Sequence, residues 1–285
     1  MVKVSVLMPI YKTNEVYLRE AITSILTQTF TDFEFLVLDD CPDENREAVV
    51  KSYQDSRIKY YKNKRNLGIS ESRNKLIDMA QGEYLAIFDH DDVSLPERLE
   101  KEVAFLDEHP EVGAVSGQVR YIPKNKITKH PENDNDIKLL LLEHCCVSHS
   151  CAMIRKSVLV ENNICYEEEV TPAEDYGLFC RLIGVTKLHN LQDVLLDYRM
   201  YDENTSNLQR NKMRVATWKI RALNRTNYPT LWQEYLFHAT DVNRIFLFGF
   251  LPLLTIVKSG YRLKIYLFGK ILILKIKHSS RIGEK

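Results

Sequence analysis

The first ninety residues alternate between short, largely apolar runs and amphipathic stretches, and this alternation limits the possible folds more than any other feature. Val4–Pro9, Phe33–Leu38, Ile58–Tyr61 and Tyr84–Phe88 read as strands of four to six residues. Between the first two, Leu18, Ala21, Ile22, Ile25 and Leu26 recur at helical spacing over Tyr17–Thr27. A second helix is expected over Glu44–Tyr53. A third runs from a Ser70 cap to about Ala80, with Gly82 just past its end. Strands that are apolar throughout need cover on both faces, so the pattern predicts an α/β fold. Its sheet is mostly parallel, with helices on both sides and right-handed crossovers.

Two of these strands stop abruptly in carboxylates, Phe33–Leu38 at Asp39-Asp40 and Tyr84–Phe88 at Asp89-His90-Asp91-Asp92. In an open parallel sheet, ligands lie beyond the carboxyl ends of the strands. Clustered carboxylates repel one another unless a cation or a polar ligand offsets them. Acidic groups launched from buried strand ends therefore suit a divalent metal held against a phosphate. For either cluster alone, a solvated acidic turn is the plainer alternative.

Further along, Pro96 opens a helix to about His109, and Val112–Val119 reads as another strand. The polar stretch Pro123–Asp136 suits a mobile loop over the crevice. Lys138–Glu143 is helical and Ala152–Ile154 is a short strand. Glu174-Asp175 opens a helical segment that buries Leu178, Phe179 and Leu182. Leu195–Arg199 reads as a last strand, and Arg210–Arg225 as a basic helix. The six cysteines contain no C-x-x-C pair and do not form a disulfide pattern. His144, Cys145, Cys146, His149 and Cys151 lack a second ligand pair at zinc spacing, so buried free thiols are expected. Met1–Ser5 runs directly into a strand without a signal-peptide profile, which points to a reducing cytoplasmic setting.

The formal net charge of zero conceals an asymmetry: from Arg244 onward, nine Lys and Arg stand against one Glu. An acidic body with a basic tail argues against nucleic acid and for an anionic surface touched by the tail. That tail holds an internal repeat, since Arg244–Leu254 aligns with Lys264–Leu274, twenty residues on. Each apolar run is shorter than the roughly 20 residues of a membrane-spanning helix. The composition suits a segment lying on the inner face of the plasma membrane, with Lys and Arg meeting anionic headgroups. A packed hairpin unit or a dimer surface is the alternative. Residues 1–225 are expected to form the main domain and 226–285 the extension.

Six motifs occur in order: Val4–Tyr11, Ser24–Phe30, Asp39-Asp40, Asn66-Leu67-Gly68 with Arg73-Asn74, Asp89–Asp92, and Glu174-Asp175-Tyr176. Over about residues 1–210 the chain resembles the family 2 glycosyltransferases, which have the GT-A fold. The resemblance implies that Pro9 and Tyr11 line the nucleotide pocket, with Tyr11 near the base. Asp40 would accept a hydrogen bond from a uracil imide, with Asp39 supporting its loop and Arg73 lining the pocket. It implies that Asp89 faces the ribose beside His90, and that Asp91 binds Mg²⁺ or Mn²⁺ bridging the diphosphate. Asp175 resembles the general base, and Glu174 would orient that base or the acceptor. His149 lies where contact with acceptor or phosphate is expected. Taken singly, Glu174-Asp175 also suits helix capping, Arg73 a surface ion pair, and Tyr11 a core aromatic.

The activity so implied is inverting transfer from a nucleotide sugar, in particular a UDP-sugar, to a glycan or lipid-linked acceptor in cell-surface polysaccharide synthesis. The tail resembles basic, aromatic tails of some bacterial surface-polysaccharide transferases. In one departure, Tyr201 stands where the corresponding segment often has a histidine, so an extra metal or phosphate contact lacks its residue. The Q-x-x-R-W motif of processive synthases is absent, which implies one sugar per encounter. A sugar-phosphate nucleotidyltransferase should carry a G-x-G-T-R-type loop after its first strand, where this chain has Ile10–Asn14. A non-catalytic sugar-nucleotide binding module has no need of intact Asp91 and Asp175.

Overall fold

The computed structural model describes residues 2–44, 46–201, 204, 208–238, 241–247, 251–259, 262–267 and 271–277. The chain divides into two compact units, Met1–Ile220 and Arg221–Lys285.

In the first unit, the alternating pattern yields β1 (Val4–Ile10), β2 (Phe33–Asp39), β3 (Ile58–Lys62) and β4 (Tyr84–Ile87). They are joined through α1 (Glu15–Leu26), α2 (Glu47–Lys51) and α3 (Ile69–Met79). These strands pair in parallel in the order β3-β2-β1-β4. Every residue of β1, β2 and β4 is buried, and all are apolar except Ser5, Glu34 and Asp39; Ser5 Oγ donates to Glu34 Oε1 at 2.6 Å. The Asp40 amide donates to the Ile10 carbonyl, the Asn63 amide to Asp39 and the Phe88 amide to Leu7. The loops that follow all four strands thus leave one edge of the sheet.

The rest of the unit comprises β5 (Val93–Ser94), α4 (Arg98–Glu108), β6 (Val112–Ile122), β7 (Lys126–Ile127), α5 (Asp134–Leu141), β8 (Met153–Arg155), α6 (Lys156–Glu161), α7 (Glu174–Leu182) and β9 (Lys187–Arg199). The sheet continues past β4 as β8-β6-β9-β5, with β7 pairing β6. Here it is mixed: β8 runs antiparallel to both β4 and β6, whereas β6 and β9 are parallel. The connection from β6 to β8 stays at one end of the sheet instead of crossing it, so β8 must run backwards. Arg98 and Glu102, both fully buried, form an ion pair within α4, and Arg98 Nη2 donates to the Ile87 carbonyl at 2.8 Å. This anchors α4 against the last residue of β4.

Three local expectations change. Gly68, not Ser70, is the N-cap of α3, because its φ of 84° suits glycine. Ser70 lies within the helix, its hydroxyl 2.8 Å from that of Thr171. Gly82 is needed for close approach and not as a cap: a Cβ there would lie 2.5 Å from the Ser5 amide nitrogen. The stretch expected as a loop over Pro123–Asp136 contains β7, paired to β6, and the first turn of α5.

The chain continues through α8 (Arg210–Asn227) and α9 (Pro229–His238). The second unit then holds an antiparallel meander of β10 (Asp241–Leu247), β11 (Leu251–Ser259), β12 (Arg262–Leu267) and β13 (Ile271–Lys277). The twenty-residue repeat is a repeated hairpin. Its two copies shift register at equivalent points, between Ile245 and Phe246 and between Ile265 and Tyr266. Among the described residues, no helix is long and apolar enough to cross a membrane.

Candidate active site

At the strand edge the two carboxylates after β2 hold the loops together. Asp39 Oδ1 accepts from the Cys41 amide at 3.0 Å, and its Oδ2 from the Tyr60 hydroxyl at 2.8 Å. Asp40 Oδ1 accepts from Asn63 Nδ2 and the Leu67 amide, both at 2.8 Å, and its Oδ2 from the Gly68 amide at 2.9 Å. A base bound at Asp40 would share the carboxylate with three protein donors. Pro9 is buried within β1 beside Leu38. Tyr11, just past β1, is 44% exposed, with the Lys12 ammonium 5.4 Å from its ring centroid. An exposed ring at the crevice offers a stacking face.

Arg73, on α3, is buried and bridges the loop after β4 to the first turn of helix Glu174–Leu182. Its Nη1 donates to Glu174 Oε1 at 2.6 Å and its Nη2 to Asp89 Oδ1 at 3.0 Å. Burial alone would lower the Arg73 pKa, but Asp89 and Glu174 outweigh it and hold the guanidinium charged. Burial would likewise raise the Asp89 pKa, yet Arg73 holds it below the usual carboxylate range.

Asp175 opens α7 beside Glu174, and its Oδ1 accepts from the Tyr176 amide at 2.7 Å. Burial and the Glu174 charge push Asp175 up to about 6. Glu174 Oε2 is buried without a hydrogen-bond partner. His149 is buried nearby, its Nε2 2.8 Å from the Tyr166 hydroxyl. Burial and Arg73 push the imidazole down to about 3, so it is neutral at physiological pH. Tyr166 carries no sequence signal for this position. It enters because the Arg73 guanidinium lies 5.4 Å from its ring centroid.

The acidic loop after β4 divides its carboxylates among different tasks. Asp89 binds Arg73. Asp92 is buried, accepting from Ser150 Oγ at 2.7 Å and from the Arg199 amide at 3.0 Å. Burial and the neighbouring Asp91 and Asp89 charges raise its pKa. Asp91 is half-buried and accepts from the Tyr201 hydroxyl through Oδ2 at 2.6 Å, while its Oδ1 has no protein donor among the described residues. His90 Nδ1 is buried without a partner. Asp91 Oδ1 is therefore a hard oxygen that could hold a metal, and Mg²⁺ or Mn²⁺ suits one carboxylate completed by phosphate and water. Among the described residues, no three His, Cys, Asp or Glu side chains converge on one point. Cys146 and Cys151 are buried thiols, each pushed up to about 12 by burial.

The fold is that of the GT-A glycosyltransferases. S. aureus TarS in complex with UDP-GlcNAc superposes with a TM-score of 0.66 at 23% identity, over 79% of this chain and 67% of that one. The mannosyltransferase PcManGT from Pyrobaculum calidifontis, in complex with GDP-Man and Mn²⁺, gives 0.62 at 17% identity, over 84% and 70%. Residues 5–162 match glycosyl transferase family 2, and the chain belongs to that family. An uncharacterized glycosyltransferase of Methanocaldococcus jannaschii is 34% identical over 221 residues, 74% of this chain and 76% of its own. The O-antigen biosynthesis glycosyltransferase WbnJ of Escherichia coli is 28% identical over 247 residues, 82% of this chain and 94% of its own. The family match ends before Glu174 and Asp175.

Proposed function

We propose that this protein transfers a sugar from a UDP-sugar to a hydroxyl of a glycan or lipid-linked acceptor in cell-surface polysaccharide synthesis, inverting the anomeric centre. Arg73 carries this assignment. One buried guanidinium ties Asp89, in the loop beyond β4, to Glu174, next to the poised Asp175. The bridge supports a donor subsite and a base held at a set separation. The UDP-GlcNAc bound to TarS supports a uridine nucleotide, and the O-antigen role in WbnJ's name supports a surface polysaccharide.

In the reaction, the acceptor oxygen attacks the anomeric carbon as its proton passes to an Asp175 carboxylate oxygen. The bond from that carbon to the diphosphate oxygen breaks, and attack from the opposite face inverts the configuration. With a pKa near 6, Asp175 is ionised at neutral pH and still accepts a proton readily. Asp91 would hold Mg²⁺ or Mn²⁺, which when bound neutralises charge developing on the departing diphosphate. The Mn²⁺ in the mannosyltransferase complex supports this.

The β10–β13 meander would rest on the anionic inner face of the plasma membrane. The nine Lys and Arg against one Glu from Arg244 onward support this, since cationic side chains favour an anionic surface.

Calorimetric titration of a panel of nucleotide sugars, with Mn²⁺ and with chelator, tests the donor assignment. One UDP-sugar is expected to bind the wild type only with metal and to lose that binding in Asp91→Ala. Failure of every member to bind under either condition overturns it.

A further inference from the structure

Tyr201 lies 110 residues beyond Asp91 in the chain, yet its hydroxyl donates to Asp91 Oδ2 at 2.6 Å. The phenol is fixed from several sides. Its ring packs on Tyr17 of α1, with centroids 5.6 Å apart. Its amide donates to Asn204 Oδ1 at 2.6 Å, and Asn204 Nδ2 donates back to the Arg199 carbonyl at 3.3 Å. Arg199 is bound to the same acidic loop, donating through Nε to the Asp91 carbonyl at 2.9 Å and through its amide to Asp92 Oδ1 at 3.0 Å. Its guanidinium pairs with Glu20 and lies 4.2 Å from the Tyr17 ring centroid. Arg199 and Tyr201 are thereby tied to the loop after β4 by hydrogen bonds, and to α1 by the Glu20 ion pair and the Tyr17 ring.

We infer that Tyr201 is the positioning residue of the metal site: its hydroxyl holds one oxygen of Asp91 and presents the other, Oδ1, to the cation. This rests on Asp91 being the metal ligand. A carboxylate without a second partner rotates freely and can chelate through both oxygens. Mg²⁺ and Mn²⁺ favour octahedral oxygen shells, in which a single-oxygen carboxylate leaves places for phosphate and water. A hydrogen bond to the non-ligating oxygen selects that geometry before the cation arrives. Outer partners of this kind are worth about 10–100-fold in metal affinity. Tyr201 thus supplies orientation where Asp91 supplies charge.

Tyr201→Phe in the full-length protein removes the hydroxyl and keeps the ring on Tyr17. Mn²⁺ is titrated calorimetrically in the presence of UDP, with UDP binding in chelator and the melting temperature as controls. A fall of about 10–100-fold in Mn²⁺ affinity, with UDP binding in chelator unchanged, is expected. Asn204→Ala loosens the Tyr201 backbone without touching the hydroxyl, and should weaken Mn²⁺ in the same direction. A Mn²⁺ affinity equal to wild type in both variants overturns the inference while leaving the Asp91 assignment standing. Absence of any Mn²⁺ binding by the wild type overturns both.

Discussion

Arg73 and Glu174 stand 101 residues apart in the chain and meet in a buried ion pair of 2.6 Å. The contact joins α3, which follows the Asn66-Leu67-Gly68 turn, to the first turn of α7, where Asp175 sits. With Asp89 as its second partner, Arg73 makes the geometry of the base depend on the loop after β4. A buried cation between two carboxylates is stable only while all three are present, so the site has little tolerance for losing any one.

Arg73→Met leaves Glu174 buried without its cation and Asp89 without its partner. Breaking one side of a buried ion pair costs about 3–5 kcal/mol, and a loss of that order is expected in denaturant unfolding. Lys at the same position retains the charge but cannot reach both carboxylates with a planar fork, so it should recover only part of the loss.

Asp175→Asn should lower transfer by about 10²–10⁴-fold, the range for removing a general base, and leave donor affinity nearly unchanged. Both are read by steady-state kinetics and by calorimetry with the UDP-sugar. A large loss of donor binding would instead make Asp175 a structural cap of α7.

The pH dependence follows from the same residue. Only the deprotonated carboxylate accepts a proton, and burial with Glu174 raises its pKa from 3.8 to about 6. The value of kcat/KM should therefore fall as pH drops through about 6, not through the ordinary aspartate range. For stability the sign is opposite. The contribution of the protonated group is fully present below the unfolded pKa of 3.8 and is lost as pH rises through about 6. Asp175→Asn should flatten both profiles, measured as residual rate and as melting temperature against pH.

Deleting residues 241–285 removes the whole meander. Sedimentation with anionic vesicles should be lost while transfer to a soluble acceptor continues. Co-sedimentation unchanged by the deletion would remove the meander from any role at a membrane.

The core strands and helices of the first ninety residues can be read from the chain because period and burial are local. A strand buried on both faces is largely apolar, as β1 and β2 are apart from Ser5, Glu34 and Asp39, and a covering helix shows its stripe, as α1 does. The same locality places Asp39-Asp40 and Asp89–Asp92 at strand ends. Short elements escape it. β5 and β7 have two residues each, too few for a period to register.

The sequence by itself determined which carboxylates lie at the edge of the sheet, because a strand's end is a local property. Only the tertiary structure decided their partners. Arg73 reaches across 101 residues to Glu174, and Tyr201 across 110 to Asp91. It also decided that Asp40 binds the turn before α3 and that Asp92 is sealed by Ser150 and Arg199. No periodicity encodes such pairings, since they arise when packing of the apolar faces carries distant loops to one edge. The polar groups buried there must then find partners in whatever that packing brings within reach.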